Sequence, residues 1–458
     1  MSKATVAGIV TAHRKCNSTP AQTIRRVYRR IRELADPGIF ITLREESDAI
    51  AEAEALGSER VLGPLFGVPV AVKDNIDVAG LPTTAACSAF SYMPDGDAIV
   101  VARLRAAGAL VIGKTNLDQF ATGLVGTRTP YPVPRNPLRG DLIPGGSSSG
   151  SAVAVAAGIV PLALGTDTAG SGRVPAMLNN IVGMKPSLGT ISTRGVVPAC
   201  RTLDCVSIFA PNIDDAWTAL AACAGFDPED PFSRERPLGI PGELPPAFTI
   251  GIPSPRHRQF FGDTQAASDY EAALARLAKL GARLREIDMG PFEETAVLLY
   301  EGPWVAERYL AARAILEKHP DAMHPVTRDI IATGALARAT DAFAAFYRLA
   351  ELRRAAEQEL HKVDALALPT APTVYTVEEV KADPVRLNSR LGTYTNFVNL
   401  LDLCGTAVPA ALHDDGTPFG ITFLAPGGRD AWVASLADAF HAQTGIAPGQ
   451  RGLMPATA

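Results

Sequence analysis

Two glycine- and serine-rich segments are the part of this sequence best suited to chemistry. The first is Pro144-Gly-Gly-Ser-Ser-Ser-Gly-Ser151, and the second, Gly165-Thr-Asp-Thr-Ala-Gly-Ser-Gly-Arg173, begins about twenty residues after the first starts. Together they offer several hydroxyl groups and many backbone N–H groups with little side-chain bulk around them. A nucleophile placed beside hydrogen-bond donors for an oxyanion needs this combination.

Ser171 is the candidate nucleophile. It is the one serine of the two segments with glycine on both sides, so a substrate carbonyl can approach it closely. A serine is a weak nucleophile at neutral pH unless a neighbouring base takes its proton. His13 is the only histidine between Met1 and Cys200, so the sequence calls for a base other than imidazole.

Lys73 is the candidate base. It ends the segment Gly67-Val-Pro-Val-Ala-Val-Lys73, whose alternating valines predict a buried strand. A lysine that loses its water there has a lowered pKa and can act as a general base. An isolated lysine at a strand end is more often a surface residue or the partner of a carboxylate such as Asp74 or Asp77. Both interpretations stay open on the residues alone.

The segments that hold Lys73, Ser147 and Ser171, in this order and spacing, resemble the amidase signature family. The resemblance is strongest over residues 63–209 and extends more weakly to about residue 423. It implies a Ser-Ser-Lys triad in which Ser171 is the nucleophile, Ser147 the bridging serine on a cis peptide bond, and Lys73 the base.

The same resemblance implies which groups bind the oxyanion. In this sequence they are the backbone N–H groups of Thr168, Ala169, Gly170 and Ser171. A bridging serine fits this scheme because a hydroxyl both donates and accepts, and so can pass a proton between a nucleophile and a neutral lysine. The resemblance implies neither a metal nor a cofactor.

Two further stretches are similar to the allophanate hydrolase branch of that family. They are Val197-Pro-Ala-Cys-Arg-Thr-Leu-Asp-Cys205 and Tyr300-Glu-Gly-Pro-Trp-Val-Ala-Glu-Arg308. This resemblance implies that Tyr300, Arg308 and Gly123 bind the substrate, allophanate, which is urea with a carboxylate on one nitrogen. An arginine can hold such a carboxylate through two parallel hydrogen bonds. The implied reaction cleaves the terminal amide, releasing ammonia and N-carboxycarbamate.

The order of the predicted elements indicates an α/β fold. Residues 63–113 read as strand, helix and strand, and a helix over 264–280 lies between two further strands. With the family resemblance, we expect a large central mixed twisted β-sheet covered by helices on both faces. Residues 1–60 are predicted to be an N-terminal helical region packed on the core. Residues 61–458 are predicted to be the amidase signature domain, without the C-terminal domain of longer family members.

The composition limits which binding partners and which cellular compartment we expect for this protein. The chain has 458 residues, 20% of them charged, and a formal net charge of −5, which disfavours nucleic acid as a partner. Its six cysteines show no Cys-x-x-Cys spacing and fit reduced thiols in the cytoplasm. No secretory signal or membrane-spanning run is visible. We expect a cytoplasmic homodimer that acts on a small molecule, without a membrane or nucleic-acid partner.

Several alternatives remain open. A phosphate-binding loop at residues 145–151 is disfavoured because the segment lacks the Gly-Lys-Ser/Thr ending of a Walker loop. An arginine-rich helix over 21–34 could bind RNA, although a solvated face or a contact between subunits is the more common role. Within the same family, the chain could be another amidase or the glutaminase component of a tRNA-dependent amidotransferase. A non-catalytic binding protein is the remaining class.

Overall fold

The computed structural model describes residues 5–58 and 63–449. Its strands form one sheet of eleven strands in the order β1-β3-β2-β4-β6-β5-β10-β11-β9-β7-β8. The strands are β1 (Phe40–Leu43), β2 (Pro69–Lys73), β3 (Leu110–Thr115), β4 (Leu162–Asp167), β5 (Val182–Lys185), β6 (Cys205–Ala210), β7 (Phe248–Pro253), β8 (Ala282–Ile287), β9 (Ala365–Pro369), β10 (Leu403–Leu412) and β11 (Pro418–Pro426).

Fifteen α-helices lie within the described residues. They are α1 (Val6–Arg14), α2 (Pro20–Leu34), α3 (Glu46–Ser58), α4 (Ile99–Ala106), α5 (Ser149–Ala156), α6 (Val174–Leu178), α7 (Ile213–Cys223), α8 (Thr264–Lys279), α9 (Gly290–Glu301), α10 (Val305–Lys318), α11 (Pro325–Ala332), α12 (Ala339–Leu360), α13 (Val377–Ala382), α14 (Arg386–Leu391) and α15 (Asp430–Thr444). None of these helices is long and apolar enough to cross a membrane.

The sheet is mixed. Strand β2 pairs in parallel with β3 and β4, and β7 pairs in parallel with β8 and β9. The neighbours β4 and β6 are antiparallel, with Asp167 opposite Cys205. Parallel pairs need crossover connections, which here carry helices such as α4 between β2 and β3. This architecture confirms the predicted α/β class.

Successive residues of β2 show that both faces of the sheet are covered. Val70 and Val72 lie in the core that contains residues of α4, α7 and α15. Ala71, between them, lies in the core on the other face with residues of α2 and α5. Side chains of a strand alternate between the two faces, so the sheet is buried on both sides, as expected where parallel strands form its centre.

Within its described residues, 5–58, the N-terminal region contains three helices and also a strand. Strand β1 runs antiparallel to β3 at the edge of the sheet, and the sequence prediction missed it because four residues give too short a pattern. The arginine-rich helix is α2, and part of its charged face pairs with α3 through Arg25–Glu54 at 3.2 Å and Arg32–Glu46 at 2.5 Å. These arginines therefore contact carboxylates of the same chain.

Besides β1, the sequence prediction missed β6 and also the longer strand β10. It contains Gly405 and Pro409, and both residues weaken a strand pattern. The register of its pairing with β11 shifts beside Pro409, which accommodates the missing N–H. The Gly302-Pro303 sequence predicts that a helix ends between Tyr300 and Arg308, because proline cannot continue a helix. This break is observed, since α9 ends at Glu301 and α10 begins at Val305.

Candidate active site

The candidate site lies where β2 and β4 end at the same edge of the sheet. Lys73 is the last residue of β2 and Asp167 the last of β4. Helix α5 begins at Ser149, immediately after the segment that contains Ser147. The carboxyl ends of parallel strands form the usual ligand crevice of an α/β sheet. Both serine-rich segments lie at this end of the sheet.

Lys73 is fully buried and contacts the predicted bridging serine. Its Nζ donates to Ser147 Oγ at 2.7 Å and to Thr166 Oγ1 at 2.7 Å. The Gly146–Ser147 peptide bond is cis. Asp74 pairs with a different lysine, Lys114, at 3.3 Å. Lys73 is thus not a surface residue, and the carboxylate next to it in sequence is used elsewhere.

The environment of Lys73 favours the neutral amine. Burial lowers the pKa of Lys73 from its ordinary value to about 7, although the carboxylates of Asp118, Asp167 and Asp204 raise it. The Arg308 charge lowers the same pKa a little further. A lysine with a pKa near 7 is half neutral at physiological pH, as a general base must be.

The loop that carries Ser171 is held by Asp167. The Asp167 carboxylate accepts from the backbone N–H of Gly170 at 2.8 Å and of Gly172 at 3.0 Å. Arg173 donates to the same carboxylate from Nε at 2.9 Å and from Nη2 at 3.0 Å, and both side chains are fully buried. Burial by itself would raise the pKa of Asp167, but the Arg173 charge and these hydrogen bonds hold it below its usual value.

The Ser171 hydroxyl contacts Gly123. Ser171 is 3% exposed, and its Oγ donates to the Gly123 carbonyl at 3.4 Å. Within the described residues, no hydrogen bond joins Ser171 to Ser147. In the structure, Lys73 is therefore hydrogen-bonded to Ser147, and Ser171 is hydrogen-bonded to Gly123. The two serines are not hydrogen-bonded to each other. Catalytic hydrogen bonds are often long or misaligned in the absence of substrate.

Two residues from far along the chain orient the peptides around Ser171. Thr395 Oγ1 donates to the Ala169 carbonyl at 2.6 Å, and Asn399 Nδ2 donates to the carbonyls of Asp167 at 2.7 Å and Thr168 at 3.2 Å. Because a peptide unit is planar, fixing a carbonyl also fixes the N–H that follows it. Thr395 and Asn399 lie outside every motif, so the sequence did not mark either of them as part of the site.

Gly170 is required by its surroundings. Its φ is +126°, and a Cβ at this position would overlap the Thr395 side chain. The Gly170 N–H donates to Asp167, so this predicted oxyanion donor is already engaged.

The three predicted substrate-binding residues lie together. Arg308, which is 1% exposed, donates from Nη2 to the Tyr300 hydroxyl at 3.3 Å. Its Nη1 donates to the Ala121 carbonyl at 3.2 Å and to Thr122 Oγ1 at 3.0 Å. These two residues precede Gly123, whose carbonyl contacts Ser171. The Arg308 Nε is buried and has no hydrogen-bond partner among the described residues.

Another buried arginine, Arg128, supports the same segment, and no motif of the sequence marks it. It is 2% exposed, and it donates to the carbonyls of Thr122 at 3.0 Å and Pro384 at 2.7 Å. Asp118 accepts from the Arg128 N–H at 2.8 Å, and the Asp118 N–H donates to the Ser147 carbonyl at 3.0 Å. Arg128 and Arg308 together hold the segment that leads to the Ser171 contact.

The fold and this site define a class of protein. A family model described as "Amidase" matches residues 22–433. Because the match covers most of the chain, the protein belongs to the amidase family, as the Lys73, Ser147 and Ser171 segments predicted.

Two individual relatives show which kinds of amidase-family protein the chain is similar to. The chain is 48% identical over 380 residues to the urea amidolyase of Saccharomyces cerevisiae, covering 82% of this chain but 21% of that protein. It is 35% identical over 453 residues to one of the subunits of the glutamyl-tRNA(Gln) amidotransferase of Symbiobacterium thermophilum, covering 89% of this chain and 90% of that one. The chain thus spans about a fifth of the urea amidolyase it matches.

A solved structure supports the first of these similarities. The structure of Kluyveromyces lactis allophanate hydrolase superposes with a TM-score of 0.89 at 44% sequence identity. The superposition covers 95% of this chain and 72% of that one.

Proposed function

We propose that this protein is an allophanate hydrolase, a serine amidohydrolase that cleaves the terminal amide of allophanate. The observation that carries the proposal is the Arg308–Tyr300 pair. Arg308 is buried, forms no ion pair with a carboxylate among the described residues, and keeps its Nε without a partner. An uncompensated buried guanidinium is costly to fold, and a carboxylate ligand offsets that cost. The solved relative at 44% identity, from Kluyveromyces lactis, is itself an allophanate hydrolase.

The first half of the proposed reaction forms an acyl-enzyme. Ser171 Oγ attacks the carbon of the terminal carboxamide while its proton passes to Ser147 Oγ, and the Ser147 proton passes to the neutral Lys73 amine. The C–N bond then breaks, and the departing nitrogen takes a proton back from Lys73 through Ser147. Ammonia leaves, and the carbonyl remains bound to Ser171 as an ester.

The second half hydrolyses that ester. A water molecule attacks the ester carbonyl and gives its proton to Lys73 by the same route. The bond to Ser171 breaks, Ser171 recovers its proton, and N-carboxycarbamate is released. This product then decarboxylates. The serine and the lysine end each cycle in their starting protonation states.

Charge developing on the carbonyl oxygen needs donors fixed before the reaction. We assign this role to the N–H groups of Thr168, Ala169 and Ser171, because the Gly170 N–H donates to Asp167. The substrate carboxylate would lie at the other end of the site, on the Nε side of Arg308 beside the Tyr300 hydroxyl. A planar substrate only a few atoms long suits a site with anchors at both ends.

Ammonia release tests the proposal. Purified protein is assayed with allophanate, biuret, urea, malonamate and glutamine under identical conditions. We expect allophanate to have the highest kcat/KM and Ser171→Ala to release no ammonia above background. A preference for glutamine, or allophanate turnover that survives Ser171→Ala, would contradict it.

One second candidate has a specific observation in its favour. The similarity to the glutamyl-tRNA(Gln) amidotransferase chain covers 90% of that protein, whereas the similarity to urea amidolyase covers 21% of that one. As a glutaminase component, the chain would deliver ammonia to a partner protein. The substrate panel separates the two candidates, because the carboxylate of glutamine lies farther from its amide carbon than the carboxylate of allophanate does, so one fixed arginine suits only one of the two substrates.

Other parts of the proposal concern the whole protein. We propose a cytoplasmic homodimer that binds a small molecule, with residues 1–60 packed on a catalytic domain of residues 61–458. Light scattering on the purified chain measures its oligomeric state. A single monomeric species would contradict the proposed homodimer.

A further inference from the structure

Asp204 contacts the candidate oxyanion loop directly. Its Oδ1 accepts from the Thr168 hydroxyl at 2.5 Å, and Thr168 is one of the residues assigned to the oxyanion hole. The carboxylate also accepts hydrogen bonds from two backbone N–H groups of its own loop, those of Cys200 at 3.2 Å and Ala199 at 2.8 Å. The only side chain hydrogen-bonded to this carboxylate, among the described residues, is therefore that of Thr168.

The position of Asp204 is set by the sheet. The next residue, Cys205, begins β6 and pairs with Asp167, the last residue of β4. Thr168 follows Asp167 directly, so Asp204 and Thr168 flank one pair of opposed strand residues. A carboxylate anchored at a strand end offers Thr168 a fixed acceptor, because sheet residues move less than loop residues.

The loop of residues 199–204 also contacts the helix that carries Arg308. Thr202 donates to Glu307 from its N–H at 2.9 Å and from its hydroxyl at 2.5 Å. Cys200 Sγ lies 3.5 Å from the Trp304 carbonyl. One short loop thus connects the predicted oxyanion site to the predicted carboxylate site.

Several charged and titratable groups surround Asp204. Burial raises the pKa of Asp204 to about 6, and the hydrogen bonds from Thr168, Ala199 and Cys200 and the Arg308 charge lower it in part. The Asp204 charge in turn raises the pKa of Lys73. Asp204 also lines a cavity of about 120 Å³. The other charged residues that line this cavity are Arg201, Asp230 and Arg234. The Asp230 carboxylate accepts hydrogen bonds from the Ser192 hydroxyl and from the N–H and hydroxyl of Thr193.

From this geometry we infer that Asp204 is a positioning residue for the oxyanion hole, acting through the Thr168 hydroxyl. The inference rests on the proposed function only in taking Ser171 as the nucleophile. Asp204 does not touch the reacting atoms. It fixes the first peptide of the loop that binds the oxyanion, and it adds one negative charge to the surroundings of Lys73.

The test uses a reaction that does not depend on the identity of the amide substrate. A fluorophosphonate forms a bond between Ser171 Oγ and phosphorus, fluoride leaves, and the serine proton passes to the base. The phosphoryl oxygen then occupies the oxyanion position. Inactivation rate constants are measured for wild type, Asp204→Asn, Thr168→Val, Thr168→Ser and the double variant Asp204→Asn with Thr168→Val. Allophanate turnover is measured in parallel.

The expected result is a shared loss. Asp204→Asn and Thr168→Val should each slow inactivation by up to about a hundredfold, the scale for misplaced catalytic groups. The double variant should be little slower than either single variant, because both substitutions act on the same hydrogen bond. Thr168→Val removes its donor, and Asp204→Asn replaces the charged acceptor with an amide whose NH2 opposes one of the donors that the carboxylate accepted from. Thr168→Ser, which keeps the hydroxyl, should lose less than Thr168→Val. Losing the Asp204 charge should also lower the pKa of Lys73, because that charge raises it. The inactivation rate should therefore begin to rise at a lower pH in Asp204→Asn than in wild type.

The matched control is Asp230→Asn, a buried carboxylate on the same cavity that has no contact with Thr168. It should inactivate at the wild-type rate even if it melts at a lower temperature. Should Asp204→Asn fail to fold, Thr168→Val and Thr168→Ser carry the comparison. Wild-type rates in these variants, or losses that multiply in the double variant, overturn the inference.

The two proposals can fail separately. If the protein ignores allophanate but the variants still label slowly, the role of Asp204 stands and the substrate assignment falls. If allophanate is hydrolysed and Asp204→Asn labels normally, the reverse holds.

Discussion

The Lys73 amine and the Ser147 hydroxyl are in hydrogen-bond contact at 2.7 Å, although the two residues are 74 positions apart in the chain. Both side chains are fully buried. This contact places a lysine with a lowered pKa beside a hydroxyl that can transfer a proton, in a protein whose first 200 residues contain one histidine. His13 itself bonds to Thr23 at 2.8 Å and to the Phe66 carbonyl at 3.0 Å, so it serves the packing of α1.

Replacing Lys73 tests the base. Lys73→Met keeps the volume and removes the amine, so we expect ammonia release to fall to the level of Ser171→Ala, because the triad acts as a unit. Circular dichroism should show a folded protein.

The control for this substitution is Lys114, a buried lysine on the neighbouring strand β3. Lys114→Met leaves Asp74 without its ion-pair partner at 3.3 Å and should cost about 3–5 kcal/mol of unfolding free energy. The surviving folded fraction should still release ammonia. Equal activity loss in both variants would mean that Lys73 acts through stability.

The pH dependence follows from the pKa of Lys73. Because burial lowers this pKa to about 7, the amine is protonated and inactive as a base below that pH and neutral above it. We expect kcat/KM for allophanate to rise as pH increases through about 7 and then to level off. A profile that stays flat between about pH 5 and 9 would rule out a base with this pKa.

Arg308 should determine the preference for a charged substrate. Arg308→Ala is expected to cost about 2–5 kcal/mol in kcat/KM for allophanate, as when one partner of a buried charge pair is removed. The uncharged amide biuret should lose much less. Arg308→Lys keeps the charge but loses the planar fork, so it should recover only part of the activity. Equal losses on allophanate and biuret would remove Arg308 from carboxylate binding.

The Asp167–Arg173 pair should support both stability and activity. Asp167→Asn leaves the Arg173 guanidinium buried without its carboxylate and weakens the bonds to Gly170 and Gly172. We expect unfolding free energy to fall by about 3–5 kcal/mol, measured by urea denaturation. Fluorophosphonate labelling of Ser171 should slow as well, and labelling at the wild-type rate would show that the loop holds its shape without this pair.

Local sequence determined much of this molecule. The alternating valines before Lys73 predicted β2, and the glycines around Ser171 marked an accessible serine, because both signals depend on neighbours in the chain. Gly302 and Pro303 likewise predicted the end of α9, since proline cannot continue a helix. The order of the three segments was enough to indicate the family that residues 22–433 match.

Tertiary structure decided how the site is held. Thr395 and Asn399 reach the Ser171 loop from more than 220 residues away, and Arg308 reaches Thr122 from 186 residues away. No local pattern encodes such contacts, because a threonine or an arginine looks the same in sequence whether it lies in solvent or beside a distant carbonyl. The direction of the Ser171 hydroxyl, toward Gly123, is likewise set by packing that only the folded chain creates.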